Sequence, residues 1–519
     1  EANSTTTGAF DFAHLTTENV ERIEILRGSG GTLYGSQAIG GVVHIITKTG
    51  KGKPEVSFST EAGNGRTHRQ VLALRGGTES LGYSLSASRL ESAGFHRFNN
   101  NDDYQNVATS GRLDLRVTDS ALLRGVFHFR KTDLGLFNNN NFTAGEGDPN
   151  ARENVTDYFF KFDWEQKLSR TWDYRLSGSQ FKQHDKVTDD PDAVDSGRTR
   201  DRRRPTIVTT DFQTNYRWQE WSTTTFGIEY KKRQATTTTR TATPIRRDQR
   251  NVAYYLQEQL RFFKDRLFLV GGVRLDDHQA FGVEWSPSTS AAYLIPETGT
   301  KFKLGYAQGF KVPSMNELFD PDFGNPSLGP ETSWELSGGV EQRFLKRFVV
   351  GATYFHREVD DLIIFAPPSF QARNVNKVRL DGIELFGDVS LGQGLSLRTN
   401  YTFLENDTSS GRLLRRPRHR GNILLNYQQE RFHINLNTNI VGSRDDVGVV
   451  SGEDIKEAGH VKVDLASSYT LPWKLLGVKG LSLHGKIENL FNKKYEEADG
   501  FLARPLNFLI GIRGVFGKD

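Results

Sequence analysis

The densest group of candidate metal ligands in this sequence is a set of aspartates within one predicted connection. Its members are Asp185, Asp189, Asp190, Asp192 and Asp195. Clustered carboxylates on a loop can coordinate Ca²⁺, which prefers oxygen ligands. The same composition is typical of a solvated acidic loop, so both interpretations stay open. The sequence predicts no other cofactor than a structural Ca²⁺ in this loop.

A second segment whose residues could bind a ligand spans residues 20–50, VERIEILRGSGGTLYGSQAIGGVVHIITKTG. Its glycines allow close backbone approach and positive φ, and such loops can cradle phosphates. A phosphate loop, however, needs GxGxxG or GxxxxGK[ST] between a strand and a helix. Gly28-Ser29-Gly30-Gly31 lacks the Lys-Ser/Thr end, and no βαβ pattern follows it. A nucleotide site is therefore disfavoured.

Residue sets for bond-making chemistry are missing from the sequence. The 12 histidines are scattered, HExxH and GxSxG do not occur, and there is no cysteine. The lack of cysteine excludes disulfides and thiolate-bound metals. We predict that the protein is not an enzyme. The net charge of +4 is small for 519 residues and argues against a nucleic-acid partner.

The elements that would position these residues are short amphipathic strands. Polar and apolar residues alternate along 395–403, 432–440 and 481–488. Period-2 alternation places the two sets on opposite faces of a sheet. In a membrane barrel the apolar face meets lipid and the polar face lines a wet lumen. A soluble sandwich gives the same alternation with the faces exchanged.

The connections separate these two alternatives, because short and long ones alternate along the chain. Short turns are predicted at 118–120, 169–170, 219–222, 263–265, 296–300, 345–346, 392–394 and 428–431. Long loops are predicted near 91–109, 132–154, 184–205, 237–250, 310–331, 358–378, 405–417, 443–459 and 490–505. Short turns at one end and long loops at the other are typical of outer-membrane barrels. We predict an all-β fold, an antiparallel transmembrane β-barrel of about 22 strands whose lumen is plugged.

The glycine-rich segment resembles a part of a known family. VERIEILRG…LYGS.AIGGVV.IITK resembles the last third of the plug domain of TonB-dependent outer-membrane transporters. Barrel elements of that family resemble GFKVPSMNELF at 309–319, GNPSLGPETSWE at 324–335, IENLFNKKY at 487–495 and the closing strand at 504–516. The resemblance covers nearly the whole chain. Family members end on an aromatic residue, whereas Gly517-Lys518-Asp519 follow Phe516 here.

The resemblance implies two domains. Residues 1–53 correspond to the C-terminal part of a small, partial plug domain in the lumen, and residues 54–519 to the barrel. A full plug is longer, so the plug is expected to be N-terminally incomplete and to lack the TonB box. On that expectation, the chain as given is predicted to form a leaky pore that is not coupled to TonB.

The resemblance also implies a function. It predicts energised import of a scarce, large ligand, cobalamin (vitamin B12) or a ferric siderophore, across the outer membrane of a Gram-negative bacterium. The partner would be the TonB complex in the full-length protein, and a monomer is expected. The alternative is a passive porin or an adhesin-type barrel without energised transport. A porin needs neither a plug remnant nor its glycine pattern.

Some site residues follow by position in the matched motifs, and the rim arginines follow from their place at the predicted long-loop end. The plug motif comprises Arg27, Gly28, Tyr34, Gly35, Gly40 and Gly41. The resemblance assigns ion pairing of plug and barrel to Glu21, Glu24 and Arg27, the alternative being a solvated strand face. Candidate ligand or rim residues are Phe310, Asn316, Asn325, Arg415, Arg416 and Arg418.

Two arginine groups lie at the predicted long-loop rim. They comprise Arg198, Arg200, Arg202, Arg203 and Arg204, and Arg415, Arg416, Arg418 and Arg420. Arginine pairs bidentately with phosphate. This favours outer-membrane lipid and lipopolysaccharide as partners, the alternative being a role in surface solubility.

Overall fold

The computed structural model describes most of the chain. The described residues are 10–28, 31–36, 38–95, 101–136, 148–192, 197–238, 244–320, 323–365, 371–408, 413–448, 451–472 and 478–517. Asp195 of the predicted acidic group lies outside them. No helix in these ranges is long and apolar enough to cross a membrane.

The first elements form a small unit of their own. A single 3-10 turn (Phe12–His14) precedes the strand β1 (Val20–Arg27), the one-turn helix α1 (Gly31–Tyr34) and the strand β2 (Gly41–Thr47). Within the described residues, β1 and β2 pair only with each other, as an antiparallel hairpin in which Arg27 lies opposite Gly41. We call residues 10–50 the plug segment.

Long antiparallel strands make up most of the remaining chain. The first of them are β3 (Glu55–Gly63), β4 (Thr67–Gly77), β5 (Leu81–Ser92), β6 (Tyr104–Thr118), β7 (Ala121–Gly135), β8 (Arg152–Lys167), β9 (Trp172–Asp189), β10 (Thr199–Arg203), β11 (Thr206–Gln219), β12 (Ser222–Thr238), β13 (Ile245–Phe262), β14 (Leu267–His278), β15 (Gly282–Ile295) and β16 (Thr300–Lys311). After the helix α2 (Met315–Phe319) come β17 (Glu331–Phe344), β18 (Phe348–Phe365), β19 (Ala372–Gly392), β20 (Leu395–Thr408), β21 (His419–Gln429) and β22 (Phe432–Val441).

Two short hairpins in the loops alternate with the last barrel strands. The elements in order are β23 (Arg444–Val447), β24 (Asp454–Glu457), β25 (His460–Thr470), β26 (Val478–Glu488), β27 (Glu496–Ala498), β28 (Phe501–Leu502) and β29 (Asn507–Gly517). β29 pairs with β3 and closes the barrel. β10 and β11 are two parts of one strand that is interrupted at Pro205, which lacks the amide hydrogen a ladder needs. Counted in this way, the described strands form a closed barrel of 22 strands, which confirms the predicted fold.

The connections also follow the predicted alternation, with differences in length. The turns after β6, β8, β11, β13, β15, β17, β19 and β21 are short, as predicted. The sequence predicted loops near 237–250 and 358–378 that are longer than the observed ones. The strands on either side, β12 and β13 and likewise β18 and β19, extend into these stretches. Two connections at the long-loop end, 64–66 and 279–281, are tight turns.

The two faces of the barrel differ in polarity. Outward-facing apolar side chains such as Phe162, Leu304 and Ile510 are 60–65% exposed, as expected of a surface that meets lipid. Aromatic side chains beside the short turns, among them Trp172, Trp218 and Phe263, are exposed as well. Inward-facing positions are mostly polar or charged.

A closed barrel of this kind should resist sodium dodecyl sulfate until it is boiled. We expect unboiled full-length protein to migrate ahead of boiled protein on a denaturing gel, since the closed hydrogen-bonded sheet has no free edge from which to unfold. The same mobility before and after boiling would contradict this architecture.

Candidate functional site

The plug segment lies inside the barrel and contacts three parts of its wall. These contacts are the candidate functional site, because they hold the glycine-rich segment in the lumen. The partners in the wall are inward-facing side chains of strands that are far apart in the sequence.

The first contact is made by the end of β1. Arg27 forms an ion pair with Glu384 of β19. Next to it, Gly28 approaches Glu335 of β17, whose carboxylate accepts a hydrogen bond of 2.8 Å from Nε of Arg357 in β18. Two carboxylates of the wall thus face the end of β1, and each has an arginine partner. Opposite charges held in this way orient the hairpin against one side of the barrel.

Glycine is required at position 28 by both conformation and space. Its φ is +81°, where L-residues other than glycine are strained. A Cβ atom added there would overlap Oε1 of Glu335. The glycine therefore permits the approach that brings Arg27 to Glu384.

The second contact is made by α1. Thr32 Oγ1 lies 2.7 Å from Oγ of Ser288, in β15. Gly35, at φ +80°, lies against the guanidinium of Arg274 in β14, so that an added Cβ would be 3.0 Å from Nη2. Arg274 is fully buried and pairs with Glu229 and Asp276, each at 2.8 Å. A buried arginine held by two carboxylates is a rigid base for the glycine turn.

The third contact involves the residues before β1 and those after β2. Glu18 forms an ion pair with Arg69 of β4, which also reaches Glu61 of β3 at 3.1 Å. His14 Nδ1 lies 2.9 Å from the hydroxyl of Tyr104 in β6. Burial lowers the pKa of His14, because the neutral imidazole is easier to bury than the charged one.

The loop after β2 adds to this third contact. The Arg112 guanidinium donates to the carbonyl of Thr47 at 3.1 Å, and the Ser84 hydroxyl donates to that of Lys48 at 2.6 Å. None of these residues was among the predicted site residues. Their partners lie about 36 to 90 positions away in the sequence, and no local motif marks them.

The other predicted residues of the plug motif have different surroundings. Glu21 and Glu24 are exposed, like the other residues of β1 after Val20, and pair with Arg22, at 3.8 and 2.7 Å, and not with the barrel in the described residues. Of the predicted ion-pairing set, Arg27 is the member whose ion pair reaches the wall in the described part of the chain. Tyr34 is partly exposed at the end of α1, and Gly40 has no atom within 4 Å of an added Cβ.

The predicted ligand residues near 310–325 are largely part of the wall and its loop. Phe310 is buried at the end of β16. Asn325 donates to the carbonyl of Ala372 at 3.0 Å and accepts from the Ser327 hydroxyl at 2.6 Å. Asn316 lies in α2, which begins with a capping box between Ser314 and Glu317. These residues shape the loop that follows β16, and a role in ligand binding stays a prediction.

The predicted arginine rim is partly neutralised. Arg415 pairs with the buried Asp446 at 2.8 Å, and Arg418 pairs with Glu405 at 3.2 Å. Arg416 is exposed. The hairpin β23–β24 therefore positions Arg415, a residue of β20 holds Arg418, and Arg416 presents its charge to solvent.

The predicted acidic loop does not gather its described carboxylates into one site. Asp185 pairs with Arg203 at 3.4 Å, Asp190 with Arg200 at 2.6 Å, and Asp192 accepts from Asn150 at 2.8 Å. Asp189 is buried. Calcium binding in this loop stays a prediction.

Three other carboxylates lie within 4.8 Å of one another, those of Glu457, Glu496 and Asp499. Burial and the neighbouring Glu496 raise the pKa of Glu457. Mutual repulsion of this kind is expected wherever carboxylates share a site without a cation. These three residues come from two different loops, so their proximity has no signature in the sequence.

Comparisons with known proteins agree with this architecture. A family model described as "TonB dependent receptor-like, beta-barrel" matches residues 77–490, and one described as "TonB-dependent Receptor Plug Domain" matches residues 1–42. A curated relative, the vitamin B12 transporter BtuB of Photobacterium profundum, is 28% identical over 513 residues, which are 95% of this chain and 79% of the relative.

Solved structures have the same fold at lower identity. The siderophore receptor PirA from Acinetobacter baumannii superimposes with a TM-score of 0.82 at 17% identity, over 98% of this chain and 87% of that one. The copper transporter OprC superimposes with a TM-score of 0.83 at 14% identity, over 99% of this chain and 90% of that one. A ferric enterobactin receptor from Pseudomonas aeruginosa, in complex with enterobactin, superimposes with a TM-score of 0.79 at 18% identity. The match covers 98% of this chain and 88% of that one.

Proposed function

The chain belongs to the TonB-dependent receptor family, and on this premise we propose that it imports a scarce, large ligand across the outer membrane of a Gram-negative bacterium. The observation that carries the proposal is the glycine-rich hairpin held inside a closed barrel of 22 strands. A passive porin or an adhesin needs no such hairpin in its lumen. The family consists of transporters and receptors, which supports a role other than catalysis.

The ligand that we propose first is cobalamin. The support is the relative described as a vitamin B12 transporter, whose similarity extends over 95% of this chain. A ferric siderophore is the second candidate, because siderophore receptors are among the structures with the same fold. Both are too large to pass through small pores by diffusion, and both fit active import.

The contacts of the plug segment suggest how import would proceed. In the full-length protein, force from the TonB complex would have to separate Arg27 from Glu384 and Glu18 from Arg69 before the lumen opens. The Arg27–Glu384 pair is partly exposed, whereas the side chain of Glu18 is buried. A partly exposed pair contributes little, typically about 0–1 kcal/mol, so the Arg27 contact can break under load and form again. The Glu18 contact is the harder one to break, because separation would leave a buried carboxylate without its partner. The buried pairs of Arg274 lie entirely in the wall and would stay intact.

We further propose that the protein acts as a monomer. The described barrel strands close on themselves through β29 and β3, so no strand edge remains within the closed barrel for pairing with a second copy.

Titration of the full-length protein in detergent tests the ligand assignment. We expect cyanocobalamin, or else one member of a panel of ferric siderophores, to bind with a Kd below ~1 μM, equivalent to about −8 kcal/mol. Tryptophan fluorescence would report binding, and an unrelated outer-membrane barrel of similar size would serve as the control. If no compound of either class binds in that range, the ligand assignment is wrong.

Import itself is tested in cells. Uptake of the bound compound should stop when the proton-motive force is dissipated, whereas uptake through a passive pore should continue. Uptake that persists without the proton-motive force would favour the porin alternative.

A further inference from the structure

The strand β13 extends beyond its neighbour β14 at the long-loop end of the barrel. The ladder between these two strands ends where Asn251 lies opposite His278, because β14 and β15 are joined by the tight turn 279–281. On its other side, β13 stays paired with β12 as far as Ile245. Residues 245–250 are therefore a strand segment with one paired side and one open side. We call this segment the open edge.

The directions of the backbone groups show what the open edge offers. In an antiparallel strand, residues of the same parity direct their amide and carbonyl groups to the same neighbouring strand. The carbonyl of Arg250 accepts from the amide of Gln279, on the open side, at 3.0 Å. Arg246 lies opposite Thr236 of β12, whose own backbone groups bond to the opposite neighbour of β12, at 2.9 and 3.3 Å. The backbone groups of Arg246 and Asp248 therefore face the open side.

These backbone groups meet no strand. Among the described residues, the amide and carbonyl groups of Arg246 and Asp248 have no backbone partner on the open side. The carbonyl of Arg246 accepts from Nη1 of the neighbouring Arg247 at 3.0 Å, and its second lone pair can accept another bond. The side chains of all three residues are exposed. A row of unpaired backbone groups is a template for a further strand.

The open edge lies outside the membrane and is supported from within. Tyr254 is an exposed aromatic residue on the outer face of the same strand. Strands rise about 3.3 Å per residue, so the open edge extends from roughly 13 Å to roughly 30 Å beyond Tyr254. Aromatic side chains of this kind mark the boundary of the membrane. On the inner side, the guanidinium of Arg247 lies over the ring of Phe319 in α2, 4.8 Å from its centre.

The charges of the open edge select the kind of partner. Its six residues include three arginines and one aspartate, which gives a net charge of +2. Arg246 and Arg250 are four residues apart on one face of the strand, and Asp248 lies between them, 3.8 Å from Arg250. A strand added alongside would place its own side chains opposite these residues. Acidic residues four positions apart would face the two arginines, and a basic residue midway would face Asp248.

We propose that an extended acidic peptide segment of a partner protein outside the cell adds to the open edge as a further strand. Backbone hydrogen bonds with Arg246 and Asp248 would supply affinity. Carboxylates opposite Arg246 and Arg250 would form charge-assisted hydrogen bonds with the guanidinium groups and supply specificity. The inference rests on the proposed outer-membrane location and is independent of the imported ligand.

A synthetic peptide tests the role of charge on the full-length protein in detergent. The probe is fluorescein-labelled Thr-Glu-Thr-Lys-Thr-Glu-Thr, which reads the same in both directions and therefore fits either strand orientation. The control peptide exchanges the charges, Thr-Lys-Thr-Glu-Thr-Lys-Thr. By fluorescence anisotropy, we expect the control peptide to bind about tenfold more weakly than the probe. The variant Arg246→Gln/Arg250→Gln should weaken binding of the probe by a similar factor, whereas Lys377→Gln/Arg379→Gln, on another strand, should not.

A second pair of variants separates strand addition from attraction between charges. Asp248→Pro removes an amide hydrogen from the open side and leaves the bonds to β12 in place, and edge strands tolerate proline. Asp248→Thr removes the same carboxylate and keeps the amide hydrogen. We expect the proline variant to bind the probe about tenfold more weakly than the threonine variant. Unchanged heat-modifiable migration of both variants would show that the barrel is folded.

Several outcomes would overturn the proposal. Equal binding of the two peptides by wild type would show that charge does not select the partner. Equal binding of the probe by the proline and threonine variants would show that no strand is added. Absence of binding at about 1 mM probe, equivalent to about −4 kcal/mol, would show that the arginines only keep the edge soluble. A wild-type dimer that Asp248→Pro dissociates would show that a second copy covers the edge.

The imported ligand is titrated in parallel with the same variants. Unchanged affinity for that ligand, together with weakened binding of the probe by Asp248→Pro, separates this inference from the proposed function. Wild type that binds the probe and neither cobalamin nor a siderophore would contradict the proposed ligand alone.

Discussion

Replacing Arg274 with methionine is expected to lower the free energy of unfolding by about 3–5 kcal/mol. Arg274 is fully buried in the wall, and its guanidinium is the shared partner of Glu229 and Asp276. Methionine keeps much of the side-chain volume and removes the charge, so two carboxylates are left buried with fewer partners. Lys231 at 3.1 Å from Glu229, and Asn251 at 2.7 Å from Asp276, offset part of this loss. Urea unfolding of the refolded barrel in detergent, followed by tryptophan fluorescence, measures the change.

Two further variants make this first prediction specific. Arg398→Met removes an arginine whose pair with Asp388 is exposed, and it should cost no more than about 1 kcal/mol. Arg274→Met/Asp276→Leu should regain part of the loss, because removing both members of a buried pair costs less than removing one. A loss below about 1 kcal/mol for Arg274→Met alone would show that Arg274 does not support the wall in the way described.

Replacing Gly28 with alanine is expected to release the plug segment from the wall. At φ +81° an L-residue is strained by about 1–3 kcal/mol, and the new Cβ would overlap Oε1 of Glu335. Glu335 cannot simply move aside, because its carboxylate is held by Arg357. The docked state should therefore lose population by roughly five- to 150-fold relative to the open state.

Limited proteolysis of the folded full-length protein measures this second change without reference to any ligand. Trypsin should cleave after Arg22 and Arg27 faster by the same factor, since cleavage follows the population of the open form. Gly40→Ala is the matched control, because it adds the same Cβ where no atom lies within 4 Å. Equal cleavage rates for wild type and Gly28→Ala would show that the approach to Glu335 is unimportant for docking.

The same pair of variants is informative for transport. If import requires a docked plug segment, Gly28→Ala should impair energised uptake and Gly40→Ala should not. Loss of uptake in both variants would indicate a role of the glycines other than contact with the wall.

The loops show where reasoning from the sequence failed and why. The pattern predicted loops near 237–250 and 358–378, yet β12, β13, β18 and β19 extend through much of these stretches. Polar residues such as those of 245–250 suit a loop and equally suit a strand that projects beyond the membrane into water. Outside the bilayer, the apolar face that makes strands recognisable is no longer needed, so the period-2 signal disappears.

The class of fold and the family could be predicted from the amino-acid sequence alone. Period-2 alternation, alternating connection lengths and the glycine pattern of residues 20–50 are local properties. The first two sufficed to predict a closed barrel of about 22 strands, and the resemblance carried by the glycine pattern implied a partial plug in its lumen. Arg27 could be singled out because it lies within the glycine motif.

The pairing of charges depends on the closed barrel and could not be predicted from local patterns. Glu384 lies opposite Arg27, Arg69 opposite Glu18, and Arg202 opposite Lys186, although the first two pairs are separated by long stretches of chain. Closing the sheet sets the register of all strands at once, and register decides which of two faces each side chain occupies. The pairing of charges across the lumen and along the outer face follows from that closure, which no local pattern in the sequence encodes.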